Sequence, residues 1–301
     1  MRTVRSVTDL RAALSSVRRD GLTIGLVPTM GALHDGHLSL IARAREHCDR
    51  VVVSLFVNPS QFNEPADLDR YPRREQDDAA LVAAAGADLL FAPPGEEVYP
   101  PGFSTAVEVL GLTERLEGAA RGPDHFRGVA TVVTKLLCMA MPDVAYFGQK
   151  DAQQLVVIRR LVRDLNLPVR VEGLPTVREP DGLAMSSRNA LLTGEERARA
   201  RALPSALAAA RELAATGERS ADALLEAARA AMRALGVEPE YVALVDPNTF
   251  EPLAALEGAS LLALAARIGE VRLIDNDLLE PAAAQTRSQP LQGEAIATCS
   301  V

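Results

Sequence analysis

Hydrophobic and polar positions follow two different periods along the first 175 residues. Short apolar runs rich in β-branched residues, such as 22–28 and 51–57, predict buried strands. Segments between them carry apolar residues three and four positions apart, which predicts amphipathic helices. The first of these helices begins near Asp35, which can cap it. Strands that alternate with helices of this length are typical of parallel βαβ units.

The same alternation continues to Pro175, after which the pattern changes. Up to that point the predicted strands are 22–28, 51–57, 88–93, 143–148 and 168–175, and the predicted helices are 35 onwards, 77–87, 126–141 and 152–165. Beyond it, alanine-rich helices and short strands are predicted at 193–216, 220–235, 240–246, 260–266 and 271–275. The fold class is therefore predicted as α/β, a Rossmann-like doubly wound parallel sheet domain followed by a smaller α+β domain. The predicted bounds are 1–176 and 177–281, with a disordered tail at 282–301 that shows no period.

Composition narrows the class of protein. The 301 residues are enough for two domains with real cores, and 48% of them are hydrophobic, as in a globular chain. A net charge of −8 argues against a nucleic-acid partner. No uncharged apolar run reaches the roughly 18 to 20 residues that span a bilayer, so no membrane association is expected.

Cysteine usage and the first residues bear on the compartment. Cys48, Cys138 and Cys299 form no CxxC motif and are odd in number, which fits a reducing environment. Charged residues occur within the first five positions, and the first ten residues lack the apolar core of a secretory signal. A cytoplasmic location is therefore expected.

Candidate chemistry lies where three predicted strands end. The turn with His34 and His37, the segment 58–61 and the segment 148–151 each follow a strand. Ligands of open parallel sheets bind at the carboxyl ends of the strands. These three segments are therefore expected to meet at one site.

His34 and His37 lie on either side of a predicted helix start, with Gly36 between them. Unpaired N–H groups and a positive dipole end make such a position favourable for phosphate. The same surroundings lower the pKa of histidine, which would leave neutral imidazoles that each donate one hydrogen bond. Two alternatives stay open: zinc ligation, for which no third ligand lies nearby in sequence, and ordinary helix capping.

Six strings extend the pattern beyond the histidines. They are "PTMGALHDGHLSL", "VSLFVNPSQF", "DLDRYPR", "HFRGVATVVTKL", "FGQKDAQQ" and "VREPDGLAMSSRN". In this order they resemble the pantoate–β-alanine ligase (pantothenate synthetase) family of the nucleotidyltransferase superfamily with the His-Xaa-Gly-His motif. The resemblance implies that pantoate attacks MgATP to give an acyl adenylate, and that β-alanine then displaces AMP to give pantothenate. It also implies Mg²⁺ and a homodimer.

The resemblance assigns roles to individual positions. Catalytic roles fall on His37, as proton donor, and on His34, Lys150 and Arg188. ATP contacts are implied for Met30, Gly31, Ala32, Leu33, His34, Asp35, Gly36, His37, Gly148, Gln149, Lys150, Asp151, Val177, Met185, Ser186, Ser187 and Arg188. Pantoate and β-alanine contacts are implied for Gln61, Gln154 and Asn58, with Met30 and Phe62 as an apolar wall.

Several of these residues also have simpler interpretations. Lys150 can bind phosphate as a mobile charge, but a lone lysine is more often a solvated surface residue. Asp151 can equally cap the helix that follows it. Asp77 and Asp78 could hold Mg²⁺ through water, although carboxylates in a first helical turn already stabilise the helix.

One string departs from the family pattern. Residues 121–126 read Arg-Gly-Pro-Asp-His-Phe, one residue longer than the family's Arg-Pro-Gly-His-Phe. The role of the family's arginine is therefore not carried over to Arg121, and His125 is only a weaker candidate for the phosphate region. No residue is identified as a base for the β-alanine amine.

Two rival functions stay open at this stage. Another nucleotidyltransferase of the same motif would need further Arg or Lys side chains for a phosphorylated acceptor. A catalytically dead ATP-binding module is disfavoured by the presence of both histidines, Lys150 and the two glutamines. A tRNA synthetase is disfavoured by the acidic charge.

Overall fold

The computed structural model describes residues 1–63 and 65–282, so the predicted tail, apart from its first residue, lies outside the described residues. The helices and strands, in chain order, are β1 (Arg2–Val4), α1 (Val7–Arg19), β2 (Ile24–Thr29), α2 (Asp35–His47), β3 (Arg50–Leu55), α3 (Pro65–Arg70), α4 (Glu75–Ala84), β4 (Leu89–Phe91), α5 (Gly95–Val98), α6 (Glu117–Arg121), α7 (Pro123–Ala140), β5 (Val144–Gly148), α8 (Ala152–Asp164), β6 (Arg170–Leu174), α9 (Gly194–Ala200), α10 (Ala202–Ala215), α11 (Ala221–Ala234), β7 (Pro239–Val245), β8 (Ser260–Ile268) and β9 (Val271–Leu279). Short 3-10 helices cover Pro59–Gln61, Gln149–Asp151 and Ser187–Leu191.

The first six strands form one parallel sheet in the order β1-β4-β3-β2-β5-β6. From β2 the chain winds outward through β3 and β4, then crosses to the other side for β5 and β6. The carboxyl ends of β2 and β5 therefore flank the point where the winding reverses, which is where such sheets bind ligands. His34 follows β2 and Lys150 follows β5. The predicted doubly wound α/β domain is confirmed.

Side chains of this sheet alternate between two helical layers. Val52 of β3 belongs to the core shared with α1, α7 and α8. Val51 and Val53, its neighbours, belong to the core shared with α2 and α4. Successive residues of a strand point to opposite faces, so a strand buried on both faces is apolar throughout. This explains why the β-branched run predicted a strand.

The last three strands form a separate antiparallel sheet in the order β7-β8-β9. Leu262 and Leu264 of β8 pack in the core with α10 and α11. Leu261 and Ala263, on the opposite face, join the core of the parallel-sheet domain. The small sheet therefore lies between its own helices and the first domain. The α+β architecture is confirmed, while the exact boundary at 176 stays a prediction.

Two differences from the sequence pattern concern the first residues and one predicted helix. The pattern gives no expectation before residue 22, where the structure has β1 and α1. Strand β1 pairs with β4 at the sheet edge. With only three residues, it is too short to show the alternation of apolar and polar positions that predicts a strand. The helix expected at 193–216 is broken at Arg201 into α9 and α10.

Two further observations concern cysteines and membranes. Cys48 and Cys138 are free thiols, while Cys299 lies outside the described residues. Within residues 1–63 and 65–282, no helix combines the length and the apolar character that crossing a membrane requires.

Candidate active site

A cavity of about 270 Å³ opens at the carboxyl ends of β2 and β5, beside the small sheet. All three predicted segments contribute to its wall. The predicted site residues that line it are Met30, His34, Gly36, His37, Asn58, Gln61, Phe62, Gly148, Lys150, Asp151, Gln154, Val177, Met185, Ser186, Ser187 and Arg188. The structure therefore brings together most of the predicted site.

Seven predicted positions do not line this cavity. They are Gly31, Ala32, Leu33, Asp35, Gln149, Asp77 and Asp78. The first three form the turn that leads into the histidines, and their contribution is to its shape.

The two histidines cap helix α2 reciprocally. His34, not Asp35, is the N-cap residue, since its Nδ1 accepts the Gly36 N–H at 3.2 Å. The N–H of His34 in turn donates to Nδ1 of His37 at 3.4 Å. The ring centroids are 4.1 Å apart. The capping alternative and the functional one are thus compatible, because only one nitrogen of each ring is used.

These contacts fix the tautomer of both rings. A neutral imidazole whose Nδ1 accepts a hydrogen bond carries its proton on Nε2. Burial, then the neighbouring Lys150 charge, lowers the pKa of His34. Burial, then His34, lowers the pKa of His37 to about 3. Both rings are therefore neutral at physiological pH and carry an Nε2–H donor, which suits an anionic ligand.

Asp78 holds the turn before the histidines. Its carboxylate is 2% exposed and accepts the N–H groups of Ala32 at 2.9 Å and Leu33 at 2.8 Å. Gly31 has φ +89°, and a Cβ there would lie 2.9 Å from Asp78 Oδ2. The glycine thus permits both the left-handed backbone and the close approach of the carboxylate.

This arrangement does not fit the predicted metal pair. Asp77 is exposed whereas Asp78 is buried, so the two carboxylates do not face a common site. Both oxygens of Asp78 already accept backbone hydrogen bonds. In the part of the chain that the structure describes, no group of three or more His, Cys, Asp or Glu side chains is arranged to hold a metal ion.

The side chain of Asn58 holds the side chain of Gln61 in place. It is 1% exposed, and its amide donates to Gln61 Oε1 at 3.0 Å and to the Gly128 carbonyl at 3.2 Å. Its Oδ1 accepts the Tyr99 hydroxyl at 2.8 Å. Both donors and the acceptor of its side chain are thus used within the protein, and its predicted substrate contact stays a prediction.

Helix α7 approaches this segment closely through Gly128. A Cβ at Gly128 would lie 2.2 Å from the Ser60 carbonyl oxygen, so only glycine allows the contact. Gln61 Nε2 lies 2.8 Å from Met30 Sδ, on the histidine side of the cavity. The amide of Gln61 is thereby held at both ends.

Lys150 enters the cavity from the turn after β5. Its side chain is 19% exposed, and its Nζ lies 3.7 Å from Asp151 Oδ1. Asp151 occupies the N-cap position of α8 but makes no side-chain capping bond. The Asp151 carboxylate therefore lies close to the lysine and does not cap the helix.

The Met185–Arg188 segment touches the histidine turn. Ser187 Oγ donates to the Ala32 carbonyl at 3.0 Å, and Ser186 Oγ accepts the Arg188 N–H at 3.3 Å. Asn189, next in the chain, donates to Glu179 Oε1 at 2.6 Å. The segment is thus held by contacts with the histidine turn and with Glu179.

His125 has the opposite tautomer to the other two histidines. Its Nδ1 lies 2.8 Å from the Gln61 carbonyl oxygen, which can only accept, so the proton is on Nδ1. Burial, then the Arg121 charge, lowers its pKa to about 4. A neutral ring with an acceptor at Nε2 does not suit phosphate, contrary to the expectation from the sequence. Arg121 is paired with Glu117 Oε2 at 2.7 Å.

Two buried polar residues at the site, Glu117 and Gln153, are not predicted by the sequence pattern. Glu117 is contacted by Arg121, Arg272 and the Tyr241 hydroxyl, which joins the two domains. Burial opposes its charge, but the arginines overcome this and lower its pKa to about 2. Gln153, beside Gln154, binds the Leu112 carbonyl at 2.7 Å. Most of their partners are distant in the chain. The Glu117–Arg121 pair is local, at positions i and i+4, but such a pair is ordinary on a helix and marks no site.

Comparison with known proteins gives a consistent match. The profile of the pantoate-beta-alanine ligase family matches residues 2–278, nearly the whole chain. The chain belongs to the pantoate–β-alanine ligase family. A pantothenate synthetase of Cereibacter sphaeroides is 57% identical over 274 residues, which is 91% of this chain and 98% of that protein. One of Heliobacterium modesticaldum is 54% identical over 284 residues, 93% of this chain and all of that protein.

Solved members of the pantoate–β-alanine ligase family have the same fold. The pantothenate synthetase of Thermus thermophilus superposes with a TM-score of 0.89 at 50% identity, covering 93% of this chain and 100% of that one. The ligase of Francisella tularensis, crystallised with beta-gamma ATP and beta-alanine, gives 0.78 at 36% identity, covering 92% and 97%. The family expectation from the six strings is confirmed.

Proposed function

We propose that this protein uses ATP to condense pantoate with β-alanine, giving pantothenate, AMP and pyrophosphate. Family membership over residues 2–278 carries this proposal. It is supported by the cavity, which holds the His34–His37 turn, Lys150 and both candidate glutamines together. The Francisella relative, crystallised with beta-gamma ATP and beta-alanine, supports the two ligands.

The reaction has two halves that balance. A carboxylate oxygen of pantoate attacks the α-phosphorus of ATP, and the bond to the bridging oxygen breaks to release pyrophosphate. The amine of β-alanine then attacks the acyl carbon, the C–O bond to AMP breaks, and the amine loses a proton. Catalysis of this kind rests mainly on positioning and on stabilising phosphate charge.

The triphosphate contacts are proposed from the charges and donors of the cavity. The Nε2–H groups of His34 and His37 would donate to phosphate oxygens, and these bonds would strengthen as charge develops. Lys150 and Arg188 would supply positive charge. By family analogy His37 is proposed as the proton donor, and for a neutral ring this means a hydrogen bond from Nε2–H to the leaving pyrophosphate.

The nucleoside is proposed to lie against Val177 and Met185, with the backbone around Gly36, Gly148 and Ser186 close to the sugar and phosphates. These positions all line the cavity. The ATP site would then be shaped by turn residues that do not line the cavity, namely Gly31, Ala32, Leu33, Asp35 and Gln149.

Pantoate is proposed to bind between Gln61 and Gln154. Gln61 is pre-oriented, since Asn58 and Met30 hold its amide. Gln154 lines the cavity, so its side-chain amide can meet a hydroxyl or carboxylate there. Met30 and Phe62 would cover the apolar part of the acid.

Three further expectations belong to this proposal. Mg²⁺ would arrive with the phosphates of ATP, since Asp77 and Asp78 do not form a protein site for it. A homodimer and a cytoplasmic location are proposed from the family resemblance and the sequence.

The test measures AMP formation with each substrate omitted in turn. AMP should require pantoate, β-alanine and ATP together, while pantoate and ATP alone should support pyrophosphate exchange. Exchange driven by a phosphorylated acceptor instead of pantoate would contradict the proposal and favour another nucleotidyltransferase. No turnover under any combination would indicate an inactive ATP-binding module.

A further inference from the structure

Strand β9 presents one face to the parallel-sheet domain. Its residues alternate, as in any strand, so Arg272, Ile274 and Asn276 share a face. Arg272 reaches Glu117, and Ile274 and Asn276 line the cavity. The opposite face carries Leu273, which packs with α10 and α11. One face of a strand from the small domain therefore forms part of the active-site wall.

Asn276 binds the turn that carries Lys150. Its Nδ2 donates to the Lys150 carbonyl oxygen at 2.7 Å and to the Gln149 carbonyl oxygen at 3.2 Å. Two donors from one rigid amide fix the orientation of two successive peptide groups. The direction in which the Lys150 side chain leaves the backbone is set by those peptides.

Asn276 is itself firmly anchored. Asp275 Oδ1 accepts the Asn276 N–H at 2.8 Å. Asp275 is 2% exposed and forms a two-bond ion pair with Arg178, with N–O distances of 2.6 Å and 3.0 Å. Arg178 follows Val177, a cavity residue. A side chain fixed in this way can hold the residues that it contacts in a defined position.

We propose that Asn276 is a positioning residue that sets where the Lys150 ammonium lies in the cavity. This inference rests on the phosphate role proposed for Lys150. Asn276 would act through the lysine backbone, and its loss would leave the lysine present but displaced. A displacement of about 1 Å at a reacting centre can reduce turnover by about 100-fold.

The first test is Asn276→Asp, which keeps the shape but replaces the donating NH₂ by an oxygen that repels both carbonyls. We expect kcat for pyrophosphate exchange to fall by about 10- to 100-fold, with KM for pantoate changed by less than about twofold. The matched control is Asp277→Asn, the reverse exchange at the next residue, which pairs with Arg211 on the other face. The control should keep wild-type exchange.

A double-mutant cycle separates positioning from a general structural effect. In a Lys150→Ala background, Asn276→Asp should reduce exchange by less than about twofold, because the group it positions is absent. An equal loss in both backgrounds, or wild-type exchange in the single variant, would overturn the inference. Melting curves of each variant would identify a loss that arises from unfolding.

The same variants distinguish this inference from the proposed phosphate role of Lys150, on which it rests. Normal exchange in Lys150→Ala alone would remove the phosphate role and the inference together. A defective Lys150→Ala with a normal Asn276→Asp would overturn the inference only.

Discussion

Nδ1 of His37 accepts the backbone N–H of His34 at 3.4 Å, while the two rings lie 4.1 Å apart between their centroids. Each ring thus uses its Nδ1 in a hydrogen bond at the helix start. Its Nε2 takes no part in that contact. The structural use and the proposed catalytic use of these residues belong to different atoms. They can therefore be separated by substitutions that retain one nitrogen position at a time.

The first prediction uses this separation at His37. An asparagine amide reaches the Nδ1 position and a glutamine amide reaches the Nε2 position. His37→Gln should therefore retain more turnover than His37→Asn, and His37→Ala should lose the most, by about 10²- to 10³-fold in kcat. Steady-state kinetics of AMP formation would measure this order.

The fold should survive these three changes. Loss of the cap bond is expected to reduce the free energy of unfolding by about 1 kcal/mol, which urea titration would detect. Near-normal turnover in His37→Ala would refute the catalytic role. Equal activity of the Asn and Gln variants would refute the Nε2–H assignment.

The second prediction concerns Asp78 and the turn that it holds. Asp78→Asn should lower the free energy of unfolding by about 1 to 3 kcal/mol, because one of the two N–H groups would then face an NH₂ donor. Turnover should fall as well, since the histidine turn would shift. The measurements are a denaturant titration and the activity across a range of Mg²⁺ concentrations.

Magnesium dependence decides between the two roles of Asp78. A carboxylate that supports the backbone gives a loss that added Mg²⁺ does not restore. Recovery of activity at high Mg²⁺ would instead revive the metal role. Asp77→Asn is the matched control, because this exposed neighbour lies outside the cavity wall and should leave stability within about 0.5 kcal/mol.

The third prediction contrasts two adjacent glutamines. Gln153 is 5% exposed, donates to the Leu112 and Arg115 carbonyls and accepts the Glu117 N–H. Gln153→Ala should therefore lower stability by about 2 kcal/mol or more. Gln154→Ala should keep stability but raise KM for pantoate or lower kcat by about 10-fold or more.

The comparison needs only thermal melts and pantoate titrations of both variants. The pair serves as its own control, since the substitution and the helix are the same. A stable Gln153→Ala, or a Gln154→Ala with unchanged kinetics, would show that the structural or the substrate role is assigned to the wrong residue.

Local sequence patterns predict the strands that carry the site and the residues that follow their carboxyl ends. The β-branched run at 51–57 predicts a strand because β3 is buried on both faces, and the His34–His37 spacing marks a real helix start. Glycine, histidine and lysine at strand ends are visible without a structure, because each of them follows an apolar run directly.

Residues that hold the site from a distance could not be found in this way. Asp78 contacts Ala32 across 46 positions, and Asn276 contacts Lys150 across 126. Asp78 is indistinguishable in sequence from a carboxylate that stabilises its own helix, which left a metal interpretation open. Asn276 lies in an alternating strand whose polar face only the packing of two domains explains. Such roles are set by tertiary contacts rather than by the local pattern of apolar and polar residues.

The last prediction is that stability falls in mild acid because of the buried neutral histidines. The pKa of His125 is lowered from 6.5 to about 4, and that of His37 to about 3, both mainly by burial. Between those values and 6.5 the unfolded chain binds protons that the folded chain does not. The free energy of unfolding therefore decreases as pH falls below about 6.5.

This acid loss should be reduced by His125→Asn, which keeps a donor near the Nδ1 position but cannot be protonated. Removing one such histidine should lower the slope by up to about 1.4 kcal/mol per pH unit between pH 6 and 5. Glu117, with a pKa lowered to about 2 from 4.5, adds its own loss only below about pH 4.5. Urea titrations of His125→Asn and wild type at pH 7.5, 6.0 and 5.0 would therefore measure the His125 contribution by difference, and parallel curves would contradict it.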